Sequence, residues 1–314
     1  MVMENVGPPA KVAILLCTYR GQQYLAEQLD SFAAQTHADW QAWASDDGSK
    51  DGTQEILAKY QGNWPAGRLT VLQGPGRGLV TNFMSLACKG EIEADYFAYS
   101  DQDDVWEADK LERAVQWLSG ISAGTPALYC ARTRLVDTQD REIGLSPLFS
   151  KPPGFANALI QSIAGGNTMV FNRAARALLQ DAGAQLPVVV HDWWTYMLVT
   201  GCGGQVFYDA TPSLRYRQHD GNVIGMNDSW LARIKRLGMQ WQGRFRQWND
   251  IHIDALRNLE HRLTPENRAI LKRFVELREM SLLPRLLNLH RSGIYRQTAL
   301  GNITLFIAAI FRKI

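Results

Sequence analysis

The sequence predicts an α/β fold: a mostly parallel sheet flanked by helices, with a C-terminal helical appendage. Three observations carry this. Short apolar runs alternate with helical segments in the first half of the chain, as where crossover helices join parallel strands. Three of those runs end in polar turns, where open parallel sheets bind ligands. Beyond about residue 226, strand signals give way to segments rich in Arg, Leu and Trp.

"KVAILLCTY" (11–19) is a short apolar run with a polar end, as in a buried strand. "GQQYLAEQLDSFAAQ" (21–35) places Tyr24, Leu25, Leu29 and Phe32 at helical spacing. "DWQAWASDD" reads as a second strand, and "DGTQEILAKYQ" as a helix with Asp51 and Thr53 as caps. "RLTVLQ", "VTNFMSLACKG" and "ADYFAYSD" continue as strand, helix and strand. Further on, "ALYCARTRLVD" and "GQVFYDATPSLRYRQH" read as strands, and "RAARALLQDAG" and "DWWTYMLVTG" as helices. We place a boundary near 226, with a catalytic domain over 1–226 and a basic helical region over 227–314.

The net charge of +2 hides an asymmetry. Residues 1–228 hold 17 Lys+Arg and 25 Asp+Glu, whereas residues 229–314 hold 16 and 6. The acidic part is suited to cations and the basic part to an anionic surface. Cys17, Cys88, Cys130 and Cys202 are scattered without a CxxC pair, which argues against a zinc cage or disulfide framework and suits a reducing cytosol. The N-terminal residues lack the layout of a signal peptide, and no apolar stretch is long enough to span a bilayer. The expectation is a cytoplasmic protein, soluble or peripheral on a membrane.

Two carboxylate clusters frame the functional question: "SDDGSKDGT" (45–53) and "YFAYSDQDDVW" (96–106). If extended, the second turns Asp101 and Asp103 to one face and Asp104 to the other. Paired carboxylates at a strand end suit a hard cation, Mg²⁺ or Mn²⁺, with positions open to phosphate. Competing readings fail on named residues. An aspartyl-nucleophile phosphatase would match "DQDDV" but needs a later acidic pair, absent after Asp104. A calcium-binding EF-hand loop from Asp47 would meet Ala58 where a bidentate Glu is required. "GPGRGL" (74–79) sets its third glycine one residue early for a dinucleotide site.

The segments "ILLCTYRGQQYLAEQLDSFAAQT", "ASDDGSKDGT" and "YSDQDDVWEADKLE", in that order and spacing, resemble glycosyltransferase family 2, whose GT-A fold is a Rossmann-like, mostly parallel sheet. "AGGNTMVFNR", "HDWWTYMLVTGCGGQVFYD" and "YRQHDGNVIG" are similar to the branch containing rhamnosyltransferases of bacterial surface polysaccharides. The resemblance spans roughly residues 11–225. It implies an inverting transferase that takes a sugar from a nucleotide diphosphate donor, such as a dTDP- or UDP-linked sugar, to a glycan or glycolipid acceptor. The specific expectation is L-rhamnose from dTDP-L-rhamnose.

On that resemblance Asp103 coordinates the metal, Asp101 lies near the ribose or metal, and Asp104 supports them. His219 completes the metal shell or is a hydrogen-bonded structural residue. Asp46 or Asp47 bonds the base, and spacing does not choose between them. Thr18, Tyr19 and Arg20 line the nucleotide pocket. Arg77 reaches the diphosphate or is simply solvated, and Gly166 and Asn167, after Gly165, let backbone approach the donor sugar or form an ordinary turn. Asp192, after the apolar run Val188–Val190 and at the start of a helix, is the candidate general base; the plainer reading is an N-cap. His191 orients Asp192 or the acceptor, and Trp193 and Trp194 offer aromatic faces to it, although one or both can be core.

The basic tail carries "WLARIKRLGMQWQGRFRQW" (230–248) and the apolar stretch Ile303–Phe311 between Arg296 and Arg312–Lys313. These suit helices lying at an inner-membrane surface. A cap on the catalytic domain or a homo-oligomer contact is the alternative. Nucleic-acid binding is not expected, since no reading motif accompanies the basic residues.

Overall fold

The computed structural model describes residues 10–219 and 244–314. The boundary near 226, most of the 230–248 segment and the "DGNVIG" part of "QHDGNVIG" lie outside the described residues.

The main sheet is built from β1 (Val12–Thr18), β2 (Trp40–Asp46), β3 (Leu69–Gln73), β4 (Tyr96–Ser100), β6 (Ala127–Ala131), β9 (Val170–Asn172) and β10 (Gln205–Asp209). Its order is β10-β6-β9-β4-β1-β2-β3. The pairs β1–β2, β1–β4, β2–β3 and β6–β10 are parallel, and β9 is antiparallel to both neighbours. A second sheet, in the order β5-β11-β7-β8, comprises β5 (Val105–Trp106), β7 (Arg134–Val136), β8 (Glu142–Leu145) and β11 (Leu214–Arg217). "ALYCARTRLVD" is therefore two strands. The chain leaves the main sheet after Ala131 and enters the small one at Arg134.

Helices α1 (Leu25–Ala33), α2 (Thr53–Asn63), α3 (Leu79–Cys88), α4 (Lys110–Ser119), α5 (Phe155–Ala158), α6 (Arg173–Ala182) and α7 (His191–Gly201) accompany the sheets. The C-terminal part holds α8 (Arg244–Asn258), α9 (Pro265–Glu279), α10 (Leu282–Arg291) and α11 (Ala299–Ile310).

Strand alternation explains the layering. Every residue of β1 is buried. Val12, Ile14 and Leu16 pack with Leu25, Leu29 and Phe32 of α1 and Leu111 of α4. Ala13, Leu15 and Cys17 join the opposite core, with Phe83 of α3 and Trp194 of α7. A strand covered on both faces has no polar side to show, hence its continuous apolar run. Truncating Leu16 to Ala at such a site costs about 2–5 kcal/mol. Leu256, Leu271, Phe274, Leu289 and Leu305 of the C-terminal helices share the second core. Asn267 stitches α9 to α7 by donating to the carbonyls of Thr200 and Gly201, each at 3.0 Å.

Because β1, β2, β3 and β4 run parallel, their polar carboxyl-end segments gather at one edge of the sheet. The segment after β11 joins them, since β11 pairs with β5 next to Asp104.

Candidate active site

Thr18 ends β1 opposite Asp46 of β2. The Thr18 hydroxyl donates to the Asp46 carboxylate at 3.0 Å. Asp46 also accepts from the Ser49 hydroxyl (2.5 Å), the Ser49 backbone (3.0 Å) and the Gln54 amide (3.0 Å). Burial alone would raise its pKa, but these hydrogen bonds outweigh it, and Asp46 is held below the usual carboxylate range. Both residues thus spend their polar atoms on folding the β2–α2 turn. In the same turn Asp51 accepts from the backbone and hydroxyl of Thr53 at the start of α2, but the N-cap position belongs to Gly52, so neither Asp51 nor Thr53 is the cap expected from sequence.

Asp47 has a different task. Its two oxygens accept the backbone N–H groups of Gly76 and Gly78, both at 2.7 Å. Those glycines have φ of +68° and +89°, a region that strains a side-chain-bearing residue. A Cβ on Gly74 would lie 2.8 Å from an Asp47 oxygen. The carboxylate therefore shapes the "GPGRG" loop beside the strand ends. Arg77, at the exposed tip of that loop, donates to the Gln185 amide at 3.0 Å.

Asp101–Asp104 form a bend between β4 and β5, so the strict extended alternation does not hold there. Asp101 and Asp103 are partly exposed, while Asp104 is buried and accepts from the Asn167 amide at 2.6 Å. Desolvation of its carboxyl, reinforced by the Asp103 and Asp192 carboxylates and opposed by Lys110, raises Asp101 above the usual carboxylate range. Burial likewise raises Asp104 and lowers Lys110. Lys110 is fully buried, sits 3.4 Å from the Trp106 ring centroid and donates to the Asn167 carbonyl. Its ammonium group opposes the upward shifts of Asp101 and Asp104. The bend is fastened to the β1 loop by Gln102, whose amide accepts from the Tyr19 N–H (2.8 Å) and donates to the Tyr19 carbonyl (2.9 Å). Tyr19 is half-exposed, and Arg20 has φ of +54° with its N–H given to the Ser49 hydroxyl at 2.8 Å.

His219 follows β11, with its Nε2 2.8 Å from the Asp103 carboxylate and its ring 5.4 Å from that of Tyr24. Arg217, almost wholly buried, pairs with Glu27 at 2.5 Å and donates to the Asp103 carbonyl at 3.3 Å.

Gly166–Thr168 form one turn of 3₁₀ helix, and α7 begins beside it at His191. Asp192 lies in the first turn of α7, whereas the N-cap position belongs to Val190. Its carboxylate accepts from the Gly166 N–H at 2.9 Å and from its neighbour's N–H at Trp193. Burial wins over these hydrogen bonds and moves Asp192 up to about 6. His191 is buried, stacked on Phe83 at 3.9 Å, and pushed down to about 3 by burial, so it is a neutral imidazole. Neither ring nitrogen has a hydrogen-bond partner.

The tryptophans correct the sequence reading. Trp193 and Trp194 are 5% and 0% exposed. Trp193 donates to the Ala158 carbonyl at 2.6 Å and packs its ring against His252. Helix α7 lies inside the second core, with ten of its eleven residues buried. Neither ring presents a face to a sugar. Gln102 and Lys110 are functional-edge residues to which no role was assigned from sequence. Their signal was position alone, within and just after the aspartate cluster.

The oxygen donors at this edge fit a hard divalent cation. Among the described residues no three His, Cys, Asp or Glu side chains converge as a metal cage. A cation bound through a diphosphate needs only one or two protein carboxylates, however, and keeps its other positions for phosphate and water. Asp103 and Asp101 are the pair that would supply them, and a cation there would offset both the burial and the repulsion that raise Asp101.

Comparison with known proteins agrees with this fold. The glycosyl transferase family 2 profile covers residues 13–179, more than half of the chain. A dTDP-rhamnosyl transferase, RfbG of Shigella flexneri, is 28% identical over 233 residues, 71% of this chain and 78% of that one. S. aureus TarS 1–349, solved in complex with UDP-GlcNAc, aligns at TM-score 0.54 and 15% identity over 96% of this chain and 90% of TarS. The mannosyltransferase PcManGT of Pyrobaculum calidifontis, solved with GDP-Man and Mn²⁺, aligns at TM-score 0.52 and 16% identity over 98% of this chain and 86% of that one. With its GT-A sheet, its strand-end carboxylates and this profile, the chain belongs to glycosyltransferase family 2 and is a glycosyltransferase.

Proposed function

We propose that the chain transfers L-rhamnose from dTDP-L-rhamnose, with inversion, to a hydroxyl of a lipopolysaccharide or other surface-glycan acceptor. The observation that carries the reading is one edge holding both halves of a transfer site: the Asp101–Asp103 pair for the donor diphosphate and Asp192 for the acceptor proton. The RfbG match supports the choice of dTDP-L-rhamnose. A UDP-hexose is the second reading, favoured by the fold match to TarS with UDP-GlcNAc.

The nucleotide lies across the ends of β1 and β2, bounded by Tyr19, Arg20 and the glycine loop that Asp47 shapes. Asp46 and Thr18 support this pocket from beneath, and Arg77 reaches the diphosphate on leaving Gln185. Asp103, with Asp101 and His219, would hold Mg²⁺ or Mn²⁺. When bound, such a cation neutralises charge that develops on the leaving diphosphate. Lys110 and Asn167 hold Asp104 and the bend in place. Asp192 takes the proton of the acceptor hydroxyl as it attacks the anomeric carbon, and its pKa of about 6 leaves it ionised at neutral pH yet basic enough to accept a proton. Gly166 donates to this carboxylate and keeps it aimed, and the neutral His191 supports the same turn. A peripheral position at the inner face of the cell membrane suits a lipid-linked acceptor.

The test is an assay of dTDP release from dTDP-L-rhamnose against an acceptor library, in Mn²⁺, Mg²⁺ and chelator. Acceptor- and metal-dependent release supports the reading. Release from UDP-sugars alone moves the donor to the second reading, and inactivity with all donors rejects both.

A further inference from the structure

The last two helices turn apolar side chains outward. In α11, Leu300, Ile303, Ile307 and Ile310 are 42–66% exposed and stand three, four and three residues apart, so they form one stripe along the helix. The opposite side of α11 is the buried one, carrying Leu305 and Ala309. Helix α10 repeats the arrangement. Leu283 (72%) and Leu287 (57%) face outward, while Arg285 and Leu289 face inward, and Arg285 donates to the Ala309 carbonyl at 2.7 Å to join the two helices. Both helices are thus already anchored by one side, and the exposed stripes are the other. Isolated surface leucines are common, but stripes on two joined helices are a patch of the kind that marks an interaction surface.

Charge selects the partner. From Met280 to Ile314 the chain contains no Asp or Glu side chain, but it contains Arg285, Arg291, Arg296, Arg312 and Lys313. Arg291 and Arg312, at the ends of the two helices, are exposed. Arg285 and Arg296 are buried, and Glu279 at the end of α9 is paired with Arg246 beside the Arg312 carbonyl. The exposed charge that α10 and α11 themselves contribute is cationic, and apolar stripes so flanked complement a bilayer with anionic headgroups. Geometry restricts the mode. Among the described residues no helix is long and apolar enough to cross a membrane. The 12 residues of α11 extend about 18 Å, short of a hydrocarbon core of about 30 Å.

We infer that α10 and α11 form an anionic-lipid-binding surface, lying in the plane of the headgroup layer with the Leu300–Ile310 stripe inserted. The inference deepens the peripheral placement proposed above and rests on it. It places the lipid contact on these two helices and names its chemistry, apolar insertion framed by Arg and Lys.

The experiment is co-sedimentation of the full-length protein with phosphatidylcholine vesicles and with vesicles also containing phosphatidylglycerol, at low and high salt. The protein should bind the anionic vesicles, and salt should weaken that binding. The triple variant Leu300→Glu, Ile303→Glu, Ile307→Glu should bind them at least about tenfold more weakly. Because these positions point outward, the variant should keep its circular dichroism spectrum and its affinity for dTDP. A conservative variant, Ile303→Leu, should bind like the wild type. Equal binding of the wild type and the triple variant, or no binding to either vesicle, overturns the inference. So does a wild-type dimer that the triple variant abolishes in sedimentation velocity, which assigns the stripe to a second copy. Transfer to a water-soluble acceptor separates the two claims: normal transfer without vesicle binding rejects only the lipid surface, and vesicle binding without transfer rejects only the transferase reading.

Discussion

The Asp192 carboxylate accepts the backbone N–H of Gly166 at 2.9 Å. That contact joins the first turn of α7 to the turn carrying Asn167, whose amide in turn donates to Asp104. The candidate base and the aspartate bend are therefore linked through one short segment, Gly166–Asn167.

Replacing Asp192 by Asn keeps shape and an acceptor oxygen for Gly166 but removes the base. Turnover should fall by about a hundredfold or more while dTDP affinity stays within about twofold. Steady-state kinetics with calorimetry checks both, and unchanged turnover removes Asp192 from the mechanism.

Activity should depend on pH with a limb near 6. Asp192 must be ionised to act, so turnover falls as pH drops through about 6, and the Asn variant should lack this limb. Stability runs the other way. A carboxyl whose folded pKa is raised favours the folded state when protonated, and this advantage is lost as pH rises from near 4 through about 6. The Asn variant should therefore gain in Tm relative to wild type at pH 8 more than at pH 5, as thermal denaturation will show.

Gly166→Ala should disable the site without unfolding the protein. The new Cβ would lie 2.5 Å from His191 Nε2 and 3.2 Å from Asp192 Cβ, and His191 is confined by Phe83. Displacing the base by even about 1 Å can cost about a hundredfold in rate. The check is kcat together with a far-ultraviolet spectrum that should not change.

Asp47→Ala should weaken donor binding instead of chemistry. It strands the N–H groups of Gly76 and Gly78, each bonded to a charged acceptor worth about 1.5–3 kcal/mol. We expect KM for the donor to rise at least about tenfold, with kcat changing less.

Lys110→Met should destabilise the fold, because it strands the buried Asn167 carbonyl to which Lys110 donates. Loss of a hydrogen bond of this kind costs about 1.5–3 kcal/mol. Urea denaturation measures this directly.

How much of this was readable beforehand depended on how local each cause was. The strands and the edge where Thr18, Asp46 and Asp101 meet were legible, because apolar runs with polar ends state where a buried strand stops. The antiparallel β9 was not, since "VFN" is three residues long and takes its identity from the partners it wedges between. The division between Asp46 and Asp47 was equally hidden: adjacent residues point to different neighbours, one to Ser49 and one to a glycine loop some thirty residues away. Trp193 and Trp194 misled for the same reason. An aromatic pair beside a candidate base looks like a sugar platform, and only the packing of α7 against His252 and the C-terminal helices makes it core.

The most direct measurement is calorimetric titration of the wild type and Asp103→Asn with dTDP-L-rhamnose, in Mn²⁺ and then in chelator. The account predicts binding by the wild type that weakens at least about tenfold on chelation and on loss of the Asp103 carboxylate. Wild-type affinity that is the same with metal, with chelator and in Asp103→Asn, or no binding of the donor under any condition, would contradict it.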